Sequence, residues 1–140
     1  MVVEDEPGIR MVLQRVLTGE GYEAVVAPDG LAALQQLKLQ PLPDLVITDL
    51  SMPRLGGKAM VESMRSDPAL RDIPVIIMTG TVPGEGLLPP EGTYQALVAK
   101  PFDLWELVGL VASLAGAARG AGDVPASVPV PGVTAAAARS

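Results

Sequence analysis

The chain has 140 residues, which is enough for one domain of ordinary size. It carries 10 Lys and Arg residues against 16 Asp and Glu residues, and the formal net charge of -6 gives no electrostatic support for binding nucleic acid. Cys and His are both absent, which excludes disulfides and zinc sites of the usual nitrogen and sulfur type. Any bound metal must therefore be held by oxygen atoms.

The N-terminal segment, MVVEDEPGIR, is acidic where a signal peptide would be basic. No apolar run approaches the length of about 18 residues that is typical of a membrane helix. We therefore expect a cytoplasmic protein that does not contact a membrane. The first apolar run is short for a central strand, which has about five or six residues. We expect either that the natural start lies upstream of Met1 or that this chain is marginally stable.

Five apolar runs, each bounded by turn residues or charge, predict five buried strands at residues 2–3, 24–26, 45–47, 75–78 and 96–99. Apolar residues recur at helical spacing after each of the first three runs and after the last, and Pro7 is placed as a first-turn residue. Phe102 and Trp105 are expected to anchor the last helix on the sheet. This alternation predicts an α/β fold with a doubly wound, five-stranded parallel sheet in the flavodoxin-like order 2-1-3-4-5.

Two segments are rich in Gly and Pro. Seven of the thirteen positions from Gly80 to Gly92 are Gly or Pro, which predicts a loop between the fourth and fifth strands. The second segment extends from Arg119 to the end of the chain and predicts a flexible tail rich in Ala, Pro and Gly. We therefore assign residues 1–118 to one domain and residues 119–140 to the tail.

Polar residues follow the strands at the edge where the carboxyl ends of a parallel sheet meet. Glu4 and Asp5 follow the first strand and Asp49 follows its neighbour, the third, so these carboxylates should converge and repel unless a cation lies among them. Mg²⁺ suits such a cluster, with Mn²⁺ as an alternative. Thr79 and Lys100 follow the fourth and fifth strands and offer a hydroxyl and an ammonium to an anion. A carboxylate beside an anion held in this way can form an acyl phosphate.

The strings VVEDE, VITDLSMPRLGG, PVIIMTG and AKPF, in this order and at these strand ends, resemble the receiver domain of two-component response regulators. The resemblance covers residues 1–118 and is specific because four separated sites must agree at once. It implies that Asp49 is the phosphoacceptor and that Thr79 is the switch hydroxyl. It also implies that Lys100 is the family's lysine, joined to Pro101 by a cis peptide bond.

The resemblance further implies a metal site built from Glu4, Asp5, Asp49 and the backbone carbonyl of Ser51, with Asp5 as the direct ligand of the acidic pair. The implied protein is a stand-alone signalling domain and not an enzyme with a separate substrate. It would take a phosphoryl group from a sensor histidine kinase or a phosphotransfer protein in a step that requires Mg²⁺. It would then dephosphorylate itself slowly and act on an unknown downstream protein.

Two features depart from the family's pattern. The Gly- and Pro-rich segment predicts that the usual fourth helix is degenerate or replaced by a loop, and Leu97 stands where the family has an aromatic residue. We expect residues 80–93 to become ordered on phosphorylation instead. The departures also leave open a pseudo-receiver, an interaction module that is never phosphorylated. A phosphatase with an Asp nucleophile would need a second Asp where Ser51 stands, and an FMN protein would need a phosphate cradle where EDEPG is acidic.

Overall fold

The computed structural model of the chain describes residues 1–39, 41–80, 87–118 and 133–134. The strands are β1 (Val2–Val3), β2 (Val26–Ala27), β3 (Val46–Asp49), β4 (Val75–Thr79), β5 (Ala96–Ala99) and β6 (Val133–Thr134). The helices are α1 (Pro7–Gly19), α2 (Gly30–Leu39), α3 (Gly57–Ser66) and α4 (Leu104–Ala118). Strands and helices thus alternate along most of the chain, as the apolar pattern predicts.

The sheet has the strand order β2-β1-β3-β4-β5-β6. Its first five strands are all parallel, which confirms the predicted fold class and the order 2-1-3-4-5. The sequence did not predict β6, which pairs antiparallel with β5 and places Val133 opposite Val98. The rest of the predicted tail, residues 119–132 and 135–140, lies outside the described residues.

The second strand is displaced from its predicted position. The apolar run predicts residues 24–26, whereas β2 consists of Val26 and Ala27. The reason is the short partner strand: β1 has two residues, and these pair with Val26 and Ala27. Sheet pairing, and not local β propensity, therefore sets the bounds of this strand.

The core is divided between the two faces of the sheet. One face is covered by α2 and α3, and its buried residues include Val3, Val46, Val75 and Ile77 from the strands. The other face is covered by α1 and α4, and its buried residues include Val2, Ile47, Ile76 and Met78. Successive residues of each central strand thus contribute to opposite cores, which explains why the strands are apolar throughout.

One of the two predicted anchors of the last helix differs from what the structure shows. Phe102 packs against the core as predicted, but the side chain of Trp105 is 69% exposed. The buried positions of α4 are Leu107, Val111 and Ala115, spaced by four. Trp105 lies two positions before Leu107, about 200° around the helix, and therefore points away from the sheet. Of the helices in the described part, none has the length and hydropathy that a membrane span requires.

The connection between β4 and β5 contains no helix in its described part, residues 87–95. Its apolar side chains cover the sheet instead: Tyr94 is buried and Leu88 packs against the same core as α2 and α3. Residues 81–86, which also belong to the segment predicted to lack a helix, lie outside the described residues. The described part therefore agrees with the expectation of a loop in place of the usual fourth helix.

Candidate functional site

Three carboxylates meet at the carboxyl edge of the sheet. β1 and β3 are adjacent, with Val3 paired to Thr48, so Glu4 and Asp49 follow these residues side by side. One oxygen from each of Glu4, Asp5 and Asp49 lies within 4.8 Å of the others. Glu4 and Asp49 are buried, whereas Asp5 is exposed. The convergence predicted from the strand ends is therefore present in the structure.

Lys100 closes this cluster from the far side of the sheet. Its Nζ donates hydrogen bonds to Glu4 Oε1 at 2.8 Å and to Asp49 Oδ2 at 3.0 Å. The side chain reaches the cluster because β5 ends beside β4, where Lys100 N donates to Thr79 O at 2.7 Å. The Lys100–Pro101 peptide bond is cis, as the resemblance implies. One ammonium thus neutralises part of the charge of two buried carboxylates.

The electrostatics of the cluster follow from burial and from this ammonium. Burial raises the pKa of Glu4 above its usual value, and the hydrogen bond from Lys100 opposes this effect without reversing it. Burial lowers the pKa of Lys100, but the hydrogen bonds and charges of Glu4 and Asp49 outweigh it and raise that pKa overall. Lys100 therefore stays charged beside the two buried carboxyl groups.

The two other predicted site residues are Thr79, on the strand next to β3, and Ser51, two positions after Asp49. Thr79 is the last residue of β4 and is buried, with Ala99 beside it on β5. It therefore lies at the same edge of the sheet as the carboxylates. Ser51 is an exposed residue at the start of the loop that connects β3 to α3. Ser51 is thus near Asp49 in sequence, and Thr79 ends the strand that pairs with β3.

The segment after Asp49 is held in a tight turn that leaves no space for a side chain at Gly57. A Cβ atom at Gly57 would lie 2.5 Å from Asp49 O and 3.0 Å from Leu50 Cα. Leu50 N donates to Met78 O on β4, and Gly57 N donates to Leu50 O. Sequence analysis missed this role of Gly57; the signal that could have indicated it is the Gly pair that ends the string VITDLSMPRLGG.

The segment after β1 is held by a second set of contacts. Glu6 N donates to Glu4 Oε2 at 3.1 Å, so one oxygen of Glu4 accepts from the backbone while the other accepts from Lys100. Arg10 of α1 donates from Nη1 to Glu4 O at 2.8 Å. Sequence analysis did not single out Arg10, because a charged residue in the first turns of a helix is usually solvated. Glu4 is therefore fixed through both its side chain and its backbone.

The donor set of the cluster fits a divalent cation that prefers oxygen. Three carboxylates within 4.8 Å of one another carry more negative charge than Lys100 can balance. Mg²⁺ is commonly held by one or two carboxylates together with water, and the exposed position of Asp5 leaves space for water on that side. The residues present therefore suit Mg²⁺ in both chemistry and charge.

Comparison with known families identifies the family of the chain. The sequence model of the response regulator receiver domain matches residues 1–112. The chain therefore belongs to the receiver domain family of two-component signalling, and it has the fold of that family. The resemblance inferred from the four sequence strings is confirmed.

Relatives of the chain carry this domain within longer proteins. The sensor histidine kinase TmoS of Ectopseudomonas mendocina is 34% identical over 116 residues, which cover 81% of this chain and 12% of that protein. The DNA-binding response regulator MtrA of Mycolicibacterium smegmatis is 34% identical over 111 residues, covering 79% of this chain and 47% of that protein. The chain thus spans less than half the length of these curated relatives.

A solved structure with the same fold contains the ligands that a receiver site would bind. The response regulator TrrA of Thermotoga maritima, in complex with Mg²⁺ and beryllofluoride, is 31% identical to this chain with a TM-score of 0.69. The match covers 81% of this chain and 95% of that structure.

Proposed function

We propose that this domain accepts a phosphoryl group on Asp49 from the phosphohistidine of a histidine kinase or a phosphotransfer protein. The observation that carries the proposal is the convergence of Asp49 with two further carboxylates and with Lys100 Nζ at 3.0 Å. An oxygen of Asp49 attacks phosphorus while the bond from phosphorus to the partner's imidazole nitrogen breaks. The imidazole then takes up a proton, and Asp49 is left as an acyl phosphate.

Three side chains of the domain have separate roles in this step. Asp49 is the nucleophile, and its carboxylate oxygen attacks phosphorus. Lys100, which already bonds Asp49 Oδ2, pairs with an oxygen of the incoming phosphoryl group. Thr79 donates its hydroxyl to another phosphoryl oxygen from the end of β4. Transfer then depends on positioning and on charge balance, as phosphoryl transfer generally does.

The residues that we propose as ligands of Mg²⁺ are Glu4, Asp5, Asp49 and the backbone carbonyl of Ser51. When bound, the ion supplies positive charge that offsets the charge of the phosphoryl oxygens. Burial raises the pKa of Glu4, and a nearby cation would favour its charged form. The same oxygen ligands would also accept Mn²⁺.

The acyl phosphate is expected to hydrolyse slowly. A water molecule attacks phosphorus, the bond to the Asp49 oxygen breaks, and free phosphate leaves while the carboxylate is restored. The domain thereby returns to its starting state without a separate substrate. Its activity is signalling by a reversible covalent change of its own side chain.

One observation favours the alternative, a pseudo-receiver that is never phosphorylated. Lys100 already bonds both Glu4 and Asp49, so part of the cluster is balanced without an ion. The described residues of the β4–β5 connection, 87–95, also lack the helix through which a receiver would signal. On this alternative the fold serves only as a surface for binding another protein.

We assign residues 1–118 to the receiver domain, and we propose protein partners for it in the cytoplasm. The relatives include a sensor histidine kinase and a DNA-binding response regulator, both of which combine a receiver with other parts. The net charge of -6 supports contacts of this domain with proteins and not with nucleic acid. The downstream target is a protein whose surface recognises the phosphorylated state.

Intact-mass analysis after incubation with acetyl phosphate tests the proposal. The wild-type chain should gain one phosphoryl group in the presence of Mg²⁺ and none when the ion is chelated. Asp49→Asn should abolish labelling, whereas Asp72→Asn, at an exposed carboxylate far along the chain, should not. Asp5→Ala and Lys100→Ala should weaken labelling. Labelling that survives in Asp49→Asn would contradict the assignment, and a wild-type chain that stays unlabelled with Mg²⁺ would favour the pseudo-receiver.

A further inference from the structure

The loop between β3 and α3, residues 50–56, contains a residue in an unfavourable backbone conformation. Arg54 has φ of 65°, and it is the one non-glycine residue with positive φ in the described part of the chain. The left-handed region is disfavoured for a residue with a Cβ atom and is usually occupied by Gly. Such a conformation persists where surrounding contacts determine it. The contacts of Arg54 should therefore reveal what holds the loop.

Arg54 is held by a buried carboxylate on the neighbouring connection. Its Nη2 lies 2.6 Å from Asp29 Oδ2, and the side chain of Asp29 is only 1% exposed. The other oxygen, Asp29 Oδ1, accepts a hydrogen bond from Ala32 N in the first turn of α2 at 2.8 Å. Asp29 Oδ2 accepts no hydrogen bond from the described residues, so the ion pair with Arg54 is what balances it.

A second contact fastens the same loop to the same helix end. Gly30 N donates to Leu55 O at 3.0 Å, and a Cβ at Gly30 would lie 2.7 Å from that oxygen. The start of α2 and the β3–α3 loop are therefore in direct backbone contact. Asp29 thus holds Arg54 through an ion pair, and Gly30 holds Leu55 through a backbone hydrogen bond.

The β3–α3 loop contains Ser51, whose backbone carbonyl we propose as a ligand of Mg²⁺. Ser51 lies between Asp49 and Arg54, so this stretch is fixed at one end by β3 and at the other by the ion pair. We propose that Asp29 and Arg54 are positioning residues for the metal site, which hold the loop so that its backbone is preorganised for Mg²⁺. This inference rests on the proposed function. Neither residue belongs to the cluster of three carboxylates.

The proposal predicts that Arg54→Gly changes the affinity for Mg²⁺ in the direction opposite to the one expected from charge alone. Arg54→Gly removes a positive charge from the edge of the acidic site, and attraction alone would then make Mg²⁺ bind more tightly. Positioning predicts weaker binding, because the loop loses its tether. Gly also adopts positive φ at little cost, so this variant loses the ion pair without keeping the backbone strain. Its fold should therefore be preserved.

The experiment is a calorimetric titration with MgCl₂ of the full chain and four variants, together with thermal unfolding in the absence of divalent ions. Arg54→Gly and Asp29→Asn should each bind Mg²⁺ about tenfold more weakly than the wild type, the low end for residues that support metal ligands. Asp29→Asn retains the oxygen that accepts from Ala32 N, so it tests the ion pair without removing the cap. Arg54→Lys keeps the charge and should bind almost as the wild type does.

The control is Arg15→Ala, which removes the same charge from an exposed position of α1 and should leave Mg²⁺ affinity unchanged. Affinity in Arg54→Gly that equals or exceeds the wild-type value would overturn the inference while leaving the proposed function intact. Equal losses of affinity in Arg15→Ala would overturn it as well. A wild-type chain that binds no Mg²⁺ would contradict both the proposed function and the inference.

Discussion

Two connections leave the sheet beside the acidic cluster, and they are built in contrasting ways. The β3–α3 loop is fixed along its length: at Leu50 by Met78 O, in its middle by Asp29 and Gly30, and at its end by Gly57. The β4–β5 connection is fixed in its described part mainly near β5. There Arg65 Nε donates to Thr93 O at 2.8 Å, and Val75 N donates to Gln95 Oε1 at 2.6 Å.

The contrast indicates that the two connections have different roles at this edge of the sheet. The first connection supports the residues that would hold the ion and the phosphoryl group, so movement there would weaken catalysis of transfer. The second begins at Thr79, the residue whose hydroxyl would contact the phosphoryl group. It is also where the described residues lack the helix that the family usually has. A change of state is therefore expected in the second connection, with the first remaining in place.

Alanine substitution of one glycine in each connection gives the largest expected difference. Gly57→Ala should destabilise the fold by ~1–3 kcal/mol, because the new Cβ would lie 2.5 Å from the backbone oxygen of Asp49. Gly80→Ala, where no atom of the described residues other than its chain neighbours lies within 4 Å of the new Cβ, should change stability by less than about 0.5 kcal/mol. Urea unfolding of both variants measures this. Equal stabilities would show that the β3–α3 turn is not tightly packed.

Removal of the Arg65 side chain should loosen the fixed end of the second connection. Arg65 Nη1 also donates to Arg71 O at 2.7 Å and to Ile73 O at 2.8 Å, so Arg65→Ala leaves three carbonyls without their charged donor. We expect a loss of about 2 kcal/mol in the free energy of unfolding. Arg71→Ala, at an exposed side chain, is the matched control and should cost under about 0.5 kcal/mol. Equal effects of the two substitutions would contradict the role of Arg65.

The fold and the acidic cluster could be predicted because their signals are local. The first five strands are each marked by a short apolar run, and most of the site residues stand at the ends of these runs. Once the strand order was inferred, the meeting of Glu4 and Asp49 followed from the geometry of parallel strands. The confirmed cis bond before Pro101 was carried by the resemblance and not by any local pattern.

The contacts that hold the loops could not be predicted, because they join residues distant in sequence. The ion pair joins Asp29 and Arg54, which are 25 positions apart in the sequence. Each of them lies in an ordinary turn segment, so neither stands out in the sequence by itself. The phase of α4, which exposes Trp105, depends on which of several apolar faces packs best. Likewise, β6 forms through pairing with an edge strand and not through a strong apolar run of its own.

The ion pair of the first connection should give a pH dependence of known sign. The hydrogen bond from Ala32 N holds the pKa of Asp29 below its usual 3.8, and attraction by Arg54 adds to this while burial opposes it. A lowered native pKa means that Asp29 contributes stability above pH 3.8, which is lost as the pH falls through the lowered pKa. Wild type should therefore exceed Asp29→Asn in stability at neutral pH, and the difference should shrink in acid.

Urea unfolding of both proteins between about pH 7 and pH 3 tests this sign. Taking the difference between the two proteins at each pH removes the contribution of the other carboxylates. Asp72→Asn serves as a control for loss of one exposed charge. A difference that grows as the pH falls would show that the native state does not favour the ionised form of Asp29, and the tether would then need another explanation.

The smallest expected effect is a change in hydrogen exchange when the phosphoryl mimic beryllofluoride is added with Mg²⁺. Ordering a segment costs conformational entropy, so we expect modest protection at the backbone amides of residues 87–92. Exchange at residues 50–57 should hardly change, because that loop is already fixed on α2 and β4. Little added protection is expected at Thr93, because Thr93 N already donates to Pro90 O. Asp49→Asn under the same conditions is the control. Protection confined to Asp49 and α1, with residues 87–92 unchanged, would show that the second connection does not respond to the state of the site.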